Sequence, residues 1–528
     1  TIGFFIMVLS NSQWLANPGV TYEIDQSIRF NKSASASMSR TFGTATDRNK
    51  FTYAFWMKAG SESNGYCLET NVGGTSGTDF SGMVFNGGSM QFFDYTGGST
   101  NIDVRTAFVN ERKFRDYSAW YHAMFVYDSD ESAAADRLKF FINGEQYPSG
   151  DLVGPGGGSP EFPTSGENSR FNNNVVHRIS SSVNGLVDGY MADIYFIDGQ
   201  ALDPTSFGEV NSSTGQFLPI EYEGAFGNNG FYIDGRDSSD LGDDESGNGN
   251  DFSTSNMGTD DQVTDTPTNN TATWNSRSGT VNPATLSDGS LTAVKSGSGT
   301  GIERSTISFP ATENFYAEFT IDATGSGSYV WQVGVIRDDD PGLYQTSESR
   351  VGDEEFGYAY STNWSSTPVP NKSNNGTKTS YGTAGSAGHV IGVQLNDGSL
   401  TFYHNNSSQG VAFTGLSGNF LFAFSGQGGA KVTANFGQTG FTYTPPTGAK
   451  ALTAPNLPDP AITLPTDHFD TLLWSGDSSD KNITGLSFTP DWVWIKQRNQ
   501  AFSIGHQLYD VVRGAGSEKE LDSSKNTA

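Results

Sequence analysis

The sequence predicts an almost entirely β protein, with two antiparallel sandwiches in tandem and a small C-terminal β segment. Its 528 residues include 64 Gly, 21 Tyr and 37 Phe. Runs of aromatic and β-branched residues alternate with short stretches rich in Gly, Asn and Asp, which is the pattern of short strands joined by turns. Long patterns with helical period are missing. A chain of this length is also too long for one core, so several domains are expected.

The first sandwich is predicted over residues 27–235, where five strand-like segments follow one another. They are Ser27–Phe30, Phe51–Lys58 with Trp56, Trp120–Asp128, Leu138–Gln146 with a turn at Asn143-Gly144, and Asp188–Leu202, which predicts a pair of strands. The one cysteine, Cys67, lies in the strand-like GYCLET segment, so we expect it to be buried. A single cysteine excludes an intramolecular disulfide framework.

In this order the five segments resemble the laminin-G-like, concanavalin-A-like sandwich, and His122 falls where that family often has a histidine. The resemblance implies binding of carbohydrate or protein on the loops or on the concave sheet face. Glycosidases of this fold use paired carboxylates on one strand face. Glu23 and Asp25 supply the first two acids, but no third follows at the right spacing, and the acids at 353–355 fall in a turn-like stretch. We therefore expect no catalytic residues.

The stretch that follows, residues 236–272, is predicted to be an acidic linker. Its first half is dense in oxygen donors, among them Asp240, Asp243 and Asp244. Calcium prefers such loops, but the spacing does not match an EF-hand, and a solvated linker explains the acids equally well. No other cofactor is indicated. The six histidines are scattered, without the spacing of a zinc site.

The second sandwich is predicted over residues 273–446. Strands are expected at Phe315–Ile321, Tyr329–Ile336 and Phe356–Tyr360, followed by a hairpin within 389–406 that turns at Asp397-Gly398 and by NFGQTGFTYTPPTG, which ends at Gly448. In that last segment an aromatic pair is expected in a strand that stops at the two prolines.

These last two segments resemble the C-terminal half of a SPRY domain. The resemblance implies an antiparallel sandwich that binds ligands through the loops at one end and catalyses nothing. Tyr344, Trp364 and Tyr381 lie in loop-like stretches of it. Exposed aromatic residues in polar loops stack on sugar rings or anchor a protein partner, and these three are our candidate ligand-binding residues. The alternative is that each ring packs on its own loop.

The two ends of the chain are predicted to need partners. Residues 1–26 are predicted to be an apolar anchoring segment, too short to span a bilayer and unlike a signal peptide. Residues 1–20 are explained equally well as an anchoring strand that pairs with a neighbouring chain or as an edge strand of the first sandwich. Residues 447–466 are a proline-rich spacer, and 467–528 a partial β domain with Trp492 and Trp494 on one strand face. We expect the natural chain to continue past Ala528 and the protein to be a homo-oligomer, with a trimer favoured.

The formal net charge of −28 argues against binding to nucleic acid or to an anionic membrane surface, because both need clustered Lys and Arg. The bland interpretation is that the charge keeps an aromatic-rich surface soluble; the alternative is a cationic partner.

Taken together, MVLSNSQWLANPGV from Met7 to Val20, the two sandwiches, DQVTDTPTNN between them, DWVWIKQR and HQLYDVVRG resemble large structural proteins of marine bacteriophages, notably those of cyanobacteria. The resemblance implies a virion component, of the fibre or spike type, that contacts other virion proteins and a glycan or protein of the host surface. Alternatives are a purely structural decoration protein and a polysaccharide depolymerase. Missing paired carboxylates disfavour the depolymerase.

Overall fold

In the computed structural model of the chain, every regular element longer than four residues is a β-strand within the described residues. The described residues are 22–60, 65–71, 80–86, 89–96, 99–106, 114, 116–154, 157–181, 185–212, 214–278, 281–326, 331–344, 348–363, 369–460, 462, 465–476, 480–497, 505–514 and 519–522. The short 3₁₀ turns are Lys32–Ala34, Ala134–Asp136, Ser149–Asp151, Pro204–Ser206, Thr259–Asp261, Pro341–Tyr344, Val351–Asp353, Ala454–Asn456 and Pro465–Asp467. The predicted all-β class is confirmed.

The first sandwich has two large antiparallel sheets. Its strands, together with those of a separate ribbon, are β1 Ser27–Phe30, β2 Ser37–Thr41, β3 Lys50–Ala59, β4 Gly65–Asn71, β5 Phe80–Asn86, β6 Ser89–Thr96, β7 Ser99–Thr106, β8 Tyr121–Asp128, β9 Leu138–Ile142, β10 Glu145–Gln146, β11 Leu152–Val153, β12 Val176–Ile179, β13 Gly189–Asp198, β14 Gly208–Val210, β15 Phe217–Pro219, β16 Phe231–Ile233, β17 Ser253–Ser255 and β18 Gln262–Val263. Sheet 1 has the order β10-β9-β8-β3-β13-β1-β18, with β16 also on β13. Sheet 2 has the order β11-β7-β6-β5-β4-β12-β2-β17, and β14 and β15 form the ribbon.

The core of this sandwich lies between the two sheets and is dominated by aromatic rings such as Phe30, Tyr53, Phe92 and Phe196, all at most 1% exposed. Cys67 is buried in the same core, as expected, and burial raises the pKa of its thiol to about 12.

The central strands of sheet 1 are buried on both faces. The outer face of this sheet carries a second apolar cluster, which includes Trp56, Trp120, Tyr190 and Phe217 of β15. Strands β3 and β13 consequently lack the alternation of apolar and polar residues that marks a half-exposed strand.

The predicted strands of the first sandwich match those observed, with one exception. The turn at Asn143-Gly144 joins β9 to β10, and both residues have positive φ, 50° and 78°. Residues 188–202 form the single strand β13 rather than a pair, because Gly189–Asp198 runs unbroken along β3 with one bulge.

Residues 236–272 are part of the first sandwich rather than the predicted linker. Strand β17 pairs with β2 and strand β18 with β1, so this stretch closes one edge of each sheet. Phe252 is 1% exposed in the core, and the Asp261 carboxylate accepts hydrogen bonds from the buried Arg29. Although the stretch is acidic in composition, a few buried residues and two strand pairings attach it to the sandwich.

The second sandwich also has two antiparallel sheets. Its strands are β19 Thr285–Ser287, β20 Thr292–Lys295, β21 Gly301–Arg304, β22 Phe309–Pro310, β23 Asn314–Ala323, β24 Trp331–Arg337, β25 Gly357–Asn363, β26 Val369–Asn374, β27 Thr377–Ser380, β28 Val390–Asn396, β29 Ser399–His404, β30 Ser407–Phe413, β31 Asn419–Gly426 and β32 Ala430–Asn435. Sheet 3 has the order β19-β20-β32-β23-β28-β29-β30, and sheet 4 the order β21-β31-β24-β25-β26-β27, with β22 also on β31.

The Asp397-Gly398 hairpin is confirmed, since the two residues have φ of 44° and 68° between β28 and β29. The strand expected at the aromatic pair Phe441 and Tyr443 is absent. The Glu318 carboxylate instead accepts hydrogen bonds from the backbone N–H groups of residues 442 and 443, at 2.7 and 3.0 Å. A side chain thus satisfies donors that a neighbouring strand would otherwise pair.

The predicted proline-rich spacer, residues 447–466, also begins as part of this sandwich. Leu452 and Leu457 are buried in its core, at 0% and 6% exposure.

The two sandwiches belong to one compact unit and meet at the turn that joins β19 to β20. Residues 288–290 of this turn all have φ near +62°. The Tyr190 hydroxyl donates to the carbonyl oxygen of Gly289 at 2.8 Å, and the N–H of Gly289 donates to the Asp188 carboxylate at 3.1 Å. Backbone-to-backbone approach is close here, because a Cβ on Gly60 would lie 3.0 Å from Gly289.

A buried ion pair joins strand β3 to the segment that leads from the first sandwich to the second. Lys58 Nζ contacts Asp265 Oδ2 at 2.8 Å, and both side chains are 1% exposed. The other oxygen of this carboxylate accepts hydrogen bonds from Trp120 Nε1 and from the N–H of Thr271, each at 3.0 Å. Every oxygen of the carboxylate therefore has a partner, as a buried charge requires.

The C-terminal residues form a small sheet in a second unit of the chain. Its strands are β33 Trp492–Ile495, β34 Gln507–Asp510 and β35 Leu521–Asp522. Trp492 and Trp494 are 45% and 53% exposed. Across the described part of the chain, no helix has the length and apolar character needed to cross a membrane.

Candidate ligand-binding surfaces

The outer face of sheet 2 carries a cluster of four aromatic rings, Tyr66, Phe80, Phe93 and Tyr95, which we call the aromatic face. Because Met90 and Phe92 of β6 point into the core, Phe93 and Tyr95 must point outward. The rings of Phe80 and Tyr95 stack with centroids 5.1 Å apart and an interplanar angle of 11°. Phe93 lies edge-on to its neighbours and is 4% exposed, whereas the other three rings are partly exposed.

A glycine leaves the room that this cluster needs. Gly82 lies on β5 between two of the rings, where an added Cβ would come within 2.6 Å of the Phe93 ring and 2.7 Å of the Tyr66 ring. Real Cβ atoms do not approach neighbours so closely, so any larger residue at this position would push the rings apart.

Polar side chains on the same face flank the rings and are held in fixed geometry. Arg105 donates two hydrogen bonds to Asp103, at 2.8 and 2.7 Å, and Gln91 donates a third at 3.2 Å. Asp103 is fully buried beneath Arg105, whose side chain is 20% exposed. Bidentate pairing fixes the plane of a guanidinium group, so its remaining N–H groups keep a defined direction.

A second polar group lies at β4 and β12. The buried Glu69 carboxylate contacts Arg178 at 3.4 Å and accepts a short hydrogen bond from the hydroxyl of Ser181. The Arg178 side chain is 27% exposed. Partly exposed aromatic rings between preorganised guanidinium groups form a surface that fits a sugar, which presents an apolar C–H face and hydroxyl groups at its edge.

The three aromatic residues predicted from the loops do not form one site. The strand ladder of sheet 4 places Tyr381 beside the start of β24, whereas Tyr344 follows the end of β24, at the opposite end of the sandwich. Trp364 lies outside the described residues.

The two described rings have different surroundings. Tyr344 is 67% exposed, and the guanidinium carbon of Arg304 lies 5.4 Å from its ring centroid. Tyr381 packs on Tyr360 and Phe402 of the core, and its hydroxyl donates to the carbonyl oxygen of Gly410. Tyr381 is thus largely a packing residue, in line with the alternative interpretation.

The predicted calcium ligands Asp240, Asp243 and Asp244 do not assemble a metal site. Among the described residues, no group of three or more His, Cys, Asp or Glu side chains could hold a metal ion. Asp244 is 7% exposed and accepts hydrogen bonds from the backbone N–H groups of Tyr232 and Asn250, at 2.9 and 2.8 Å. Its oxygens organise the turn, which is the physical reason that the acidic composition was misleading.

The acids noted in the sequence, Glu23 with Asp25 and the three at 353–355, have different surroundings. Glu23 and Asp25 are exposed on either side of the buried Ile24. Burial, together with the Asp340 carboxylate, raises the pKa of Glu354 to about 7. Asp340 accepts hydrogen bonds from the N–H groups of residues 342 and 356, so its carboxylate organises the loop between β24 and β25.

The structure brings together two histidines that are far apart in sequence. His389 Nδ1 and His404 Nε2 lie 2.8 Å apart at the end of the second sandwich where Tyr381 lies. His122, by contrast, is 1% exposed, and burial lowers its pKa to about 3. Sequence spacing alone did not reveal the pair, because its proximity comes from the register of the β28–β29 hairpin.

Three segments of the chain match known families. Residues 31–192 match the concanavalin A-like lectin/glucanases superfamily, in its Laminin_G_3 family, and residues 314–439 match the SPRY domain. Residues 464–528 match a domain of unknown function, DUF7483. The first sandwich is therefore a concanavalin-A-like, laminin-G-like domain and the second a SPRY domain, as the sequence predicted. Comparison with curated proteins finds no match.

Three solved structures are similar to this chain at low sequence identity. The SPRY domain of human HERC1 is 16% identical, with 27% of this chain and 87% of that chain covered and a TM-score of 0.22. Domains LG4-5 of the mouse laminin alpha1 chain are 8% identical, with 77% and 83% covered and a TM-score of 0.24. A human SPRY domain is 17% identical, with 28% and 91% covered and a TM-score of 0.21.

Proposed function

We propose that this protein is a non-catalytic attachment protein of a bacteriophage particle, and that it binds glycans on the host surface through the aromatic face. The observation that carries the glycan proposal is the cluster of partly exposed rings, with Phe80 stacked on Tyr95, between Arg105 and Arg178, each of which pairs with a buried carboxylate. The virion role is supported by the resemblance of the sequence to structural proteins of marine phages.

Binding at one aromatic face is expected to be weak. Stacking of a sugar on an aromatic ring contributes about 1 kcal/mol per ring, so a single site would bind at high micromolar to millimolar concentration. Copies of the chain on one particle would raise the overall affinity, provided that they engage the surface together. We also propose a homo-oligomer, with a trimer favoured because fibres grow along a closed cyclic axis.

The test is binding of the purified chain to an array of bacterial surface polysaccharides. We expect Tyr95→Ala to weaken binding, because it removes a partly exposed ring from the stack. The matched control is Phe469→Ala, which removes a more exposed aromatic residue that lies outside the aromatic face and is not a candidate ligand-binding residue. Equal loss in the two variants, or no binding by the unchanged protein, would contradict the glycan proposal.

The virion and non-enzymatic parts of the proposal have separate tests. Immunogold labelling with an antibody against the chain should mark fibres or spikes on intact particles, whereas a protein found only in the infected cell would refute the virion role. Incubation with host polysaccharide should release no new reducing ends. Release of reducing ends would instead favour the depolymerase alternative.

A further inference from the structure

Two imidazole rings meet at the end of the second sandwich where Tyr381 lies. His389 immediately precedes β28 and His404 is the last residue of β29, and Ile391 pairs with His404 across this hairpin. His404 Nε2 lies 2.8 Å from His389 Nδ1. The ring centroids are 4.6 Å apart with an interplanar angle of 73°, and both side chains are partly exposed.

The backbone on each side of the pair is held firmly. The N–H of Val390 donates to the Asn405 side-chain oxygen at 2.9 Å, and the N–H of Asn405 donates back to the carbonyl oxygen of Val390 at 2.9 Å. The N–H of Gly388 donates to the carbonyl oxygen of Ile321 at 2.8 Å. The two imidazoles therefore start from fixed Cα positions, and only their side-chain torsions are free to adjust.

The nitrogen separation suits chelation of a metal ion. Imidazole nitrogens bind first-row metals at about 2.0–2.1 Å, so two nitrogens 2.8 Å apart would subtend about 85° at a shared metal. That angle is close to the right angle between neighbouring ligands in square-planar and octahedral complexes, which Cu²⁺ and Ni²⁺ favour. Tetrahedral Zn²⁺ would need the nitrogens to separate further.

We propose that His389 and His404 together bind one divalent first-row transition-metal ion, with Cu²⁺ and Ni²⁺ bound at least as tightly as Zn²⁺. His389 Nδ1 also accepts a hydrogen bond from the N–H of Ser386 at 3.2 Å, and the metal displaces this donor. The hydrogen on His404 Nε2 moves to Nδ1 of the same ring, so both facing nitrogens can donate lone pairs to the metal. Water fills the remaining positions. The bound ion links the loop at 381–389 to the end of β29.

The other four histidines do not form a second pair of this kind. His122 and His177 are 1% and 0% exposed in the first sandwich. His468 is exposed, and His506 Nδ1 accepts a hydrogen bond from Trp494 Nε1 at 2.6 Å. Within the described residues, neither His468 nor His506 belongs to a group of three or more His, Cys, Asp or Glu side chains that could hold a metal ion.

Calorimetric titration of the full chain with Cu²⁺, Ni²⁺ and Zn²⁺ tests the proposal, with electron paramagnetic resonance of the Cu²⁺ complex to count nitrogen ligands. The unchanged protein should show one site with two nitrogens. His404→Ala should weaken that site by about tenfold or more, because the second ligand acts at high effective concentration. His468→Ala is the matched control and should leave the site unchanged.

A second variant keeps the test decisive. His389→Gln retains a polar side chain at the loop, and it should lose the site while its near-ultraviolet circular dichroism stays that of the unchanged protein. Full retention of the site in both His389→Gln and His404→Ala would overturn the proposal. Tighter binding of Zn²⁺ than of Ni²⁺ would overturn the geometric argument for the preferred ion.

Discussion

Replacing Asp193 with asparagine is expected to stabilise the first sandwich at pH 8 and to make its stability less dependent on pH. Asp193 is 2% exposed at the bulge of β13, where the register with β3 shifts and where its φ is 44°. The Tyr232 hydroxyl donates to its carboxylate at 2.9 Å. Burial, which disfavours the charged form, raises the pKa of Asp193 to about 7.

The sign and size of the effect follow from the two pKa values. An aspartate in an unfolded chain has a pKa of about 3.9, so the pKa of Asp193 is about 3 higher in the folded state, which therefore binds the proton more tightly. The stability gained from this tighter binding is complete below about pH 4 and is lost as the pH rises to about 7. At 1.36 kcal/mol per unit the loss is at most about 4 kcal/mol, and we expect about 2 kcal/mol because relaxation and water penetration weaken such penalties.

Asparagine should avoid this loss. Its side-chain oxygen can accept the same hydrogen bond from Tyr232, it does not ionise, and it tolerates positive φ. Unfolding in urea, followed by near-ultraviolet circular dichroism from pH 5 to pH 8, measures the difference. The matched control is Glu209→Gln, which removes the charge of an exposed strand residue.

The reasoning is refuted if Asp193→Asn keeps the pH dependence of the unchanged protein or is less stable than it at pH 8. Part of the pH dependence should remain in the variant, because burial also raises the pKa of Asp94 to about 7.

Two further predictions concern the junction between the sandwiches and the segment beside it. Gly289→Ala should loosen the junction, because the new Cβ would lie 2.7 Å from the ring of Tyr190. Small-angle scattering should then show a larger radius of gyration. The control Gly376→Ala is also at positive φ but has open space around it, so its radius of gyration should not change. Lys58→Met should destabilise the protein by about 3–5 kcal/mol in urea unfolding, because it leaves the Asp265 charge buried without its partner. The control Lys139→Met breaks a partly exposed pair and should cost about 1 kcal/mol or less; equal costs in the two lysine variants would contradict the argument.

Much of the fold could be predicted from the sequence because its signals are local. Positive φ at Asp397-Gly398 and Asn143-Gly144 is a property of the turn residues themselves, and strand β1 follows directly from the SIRF run. Where the prediction failed, a long-range contact decided the structure. Residues 236–272 look like a linker by composition, yet strand pairing and the burial of Phe252 tie them to the first sandwich.

The candidate site could be predicted less well, for the same reason. Phe93 and Tyr95 belong to a strand that is apolar on both faces, and this was the signal that could have indicated a second aromatic surface on sheet 2. Their contacts with Phe80, however, depend on strand register, and the His389–His404 pair depends on a hairpin register as well. Loop aromatics were the more visible pattern, but Tyr381 turned out to pack on the core.

The measurement that tests the central claim most directly is the affinity of Gly82→Ala for the host surface polysaccharide, by isothermal titration calorimetry with the full chain. This variant removes no aromatic ring, yet its new Cβ must displace the rings of Phe93 and Tyr66. We expect about a tenfold loss of affinity, which corresponds to about 1.4 kcal/mol. Gly150→Ala, which has open space around it, should bind normally. Unchanged affinity in a correctly folded Gly82→Ala protein would contradict the claim that the aromatic face binds the glycan.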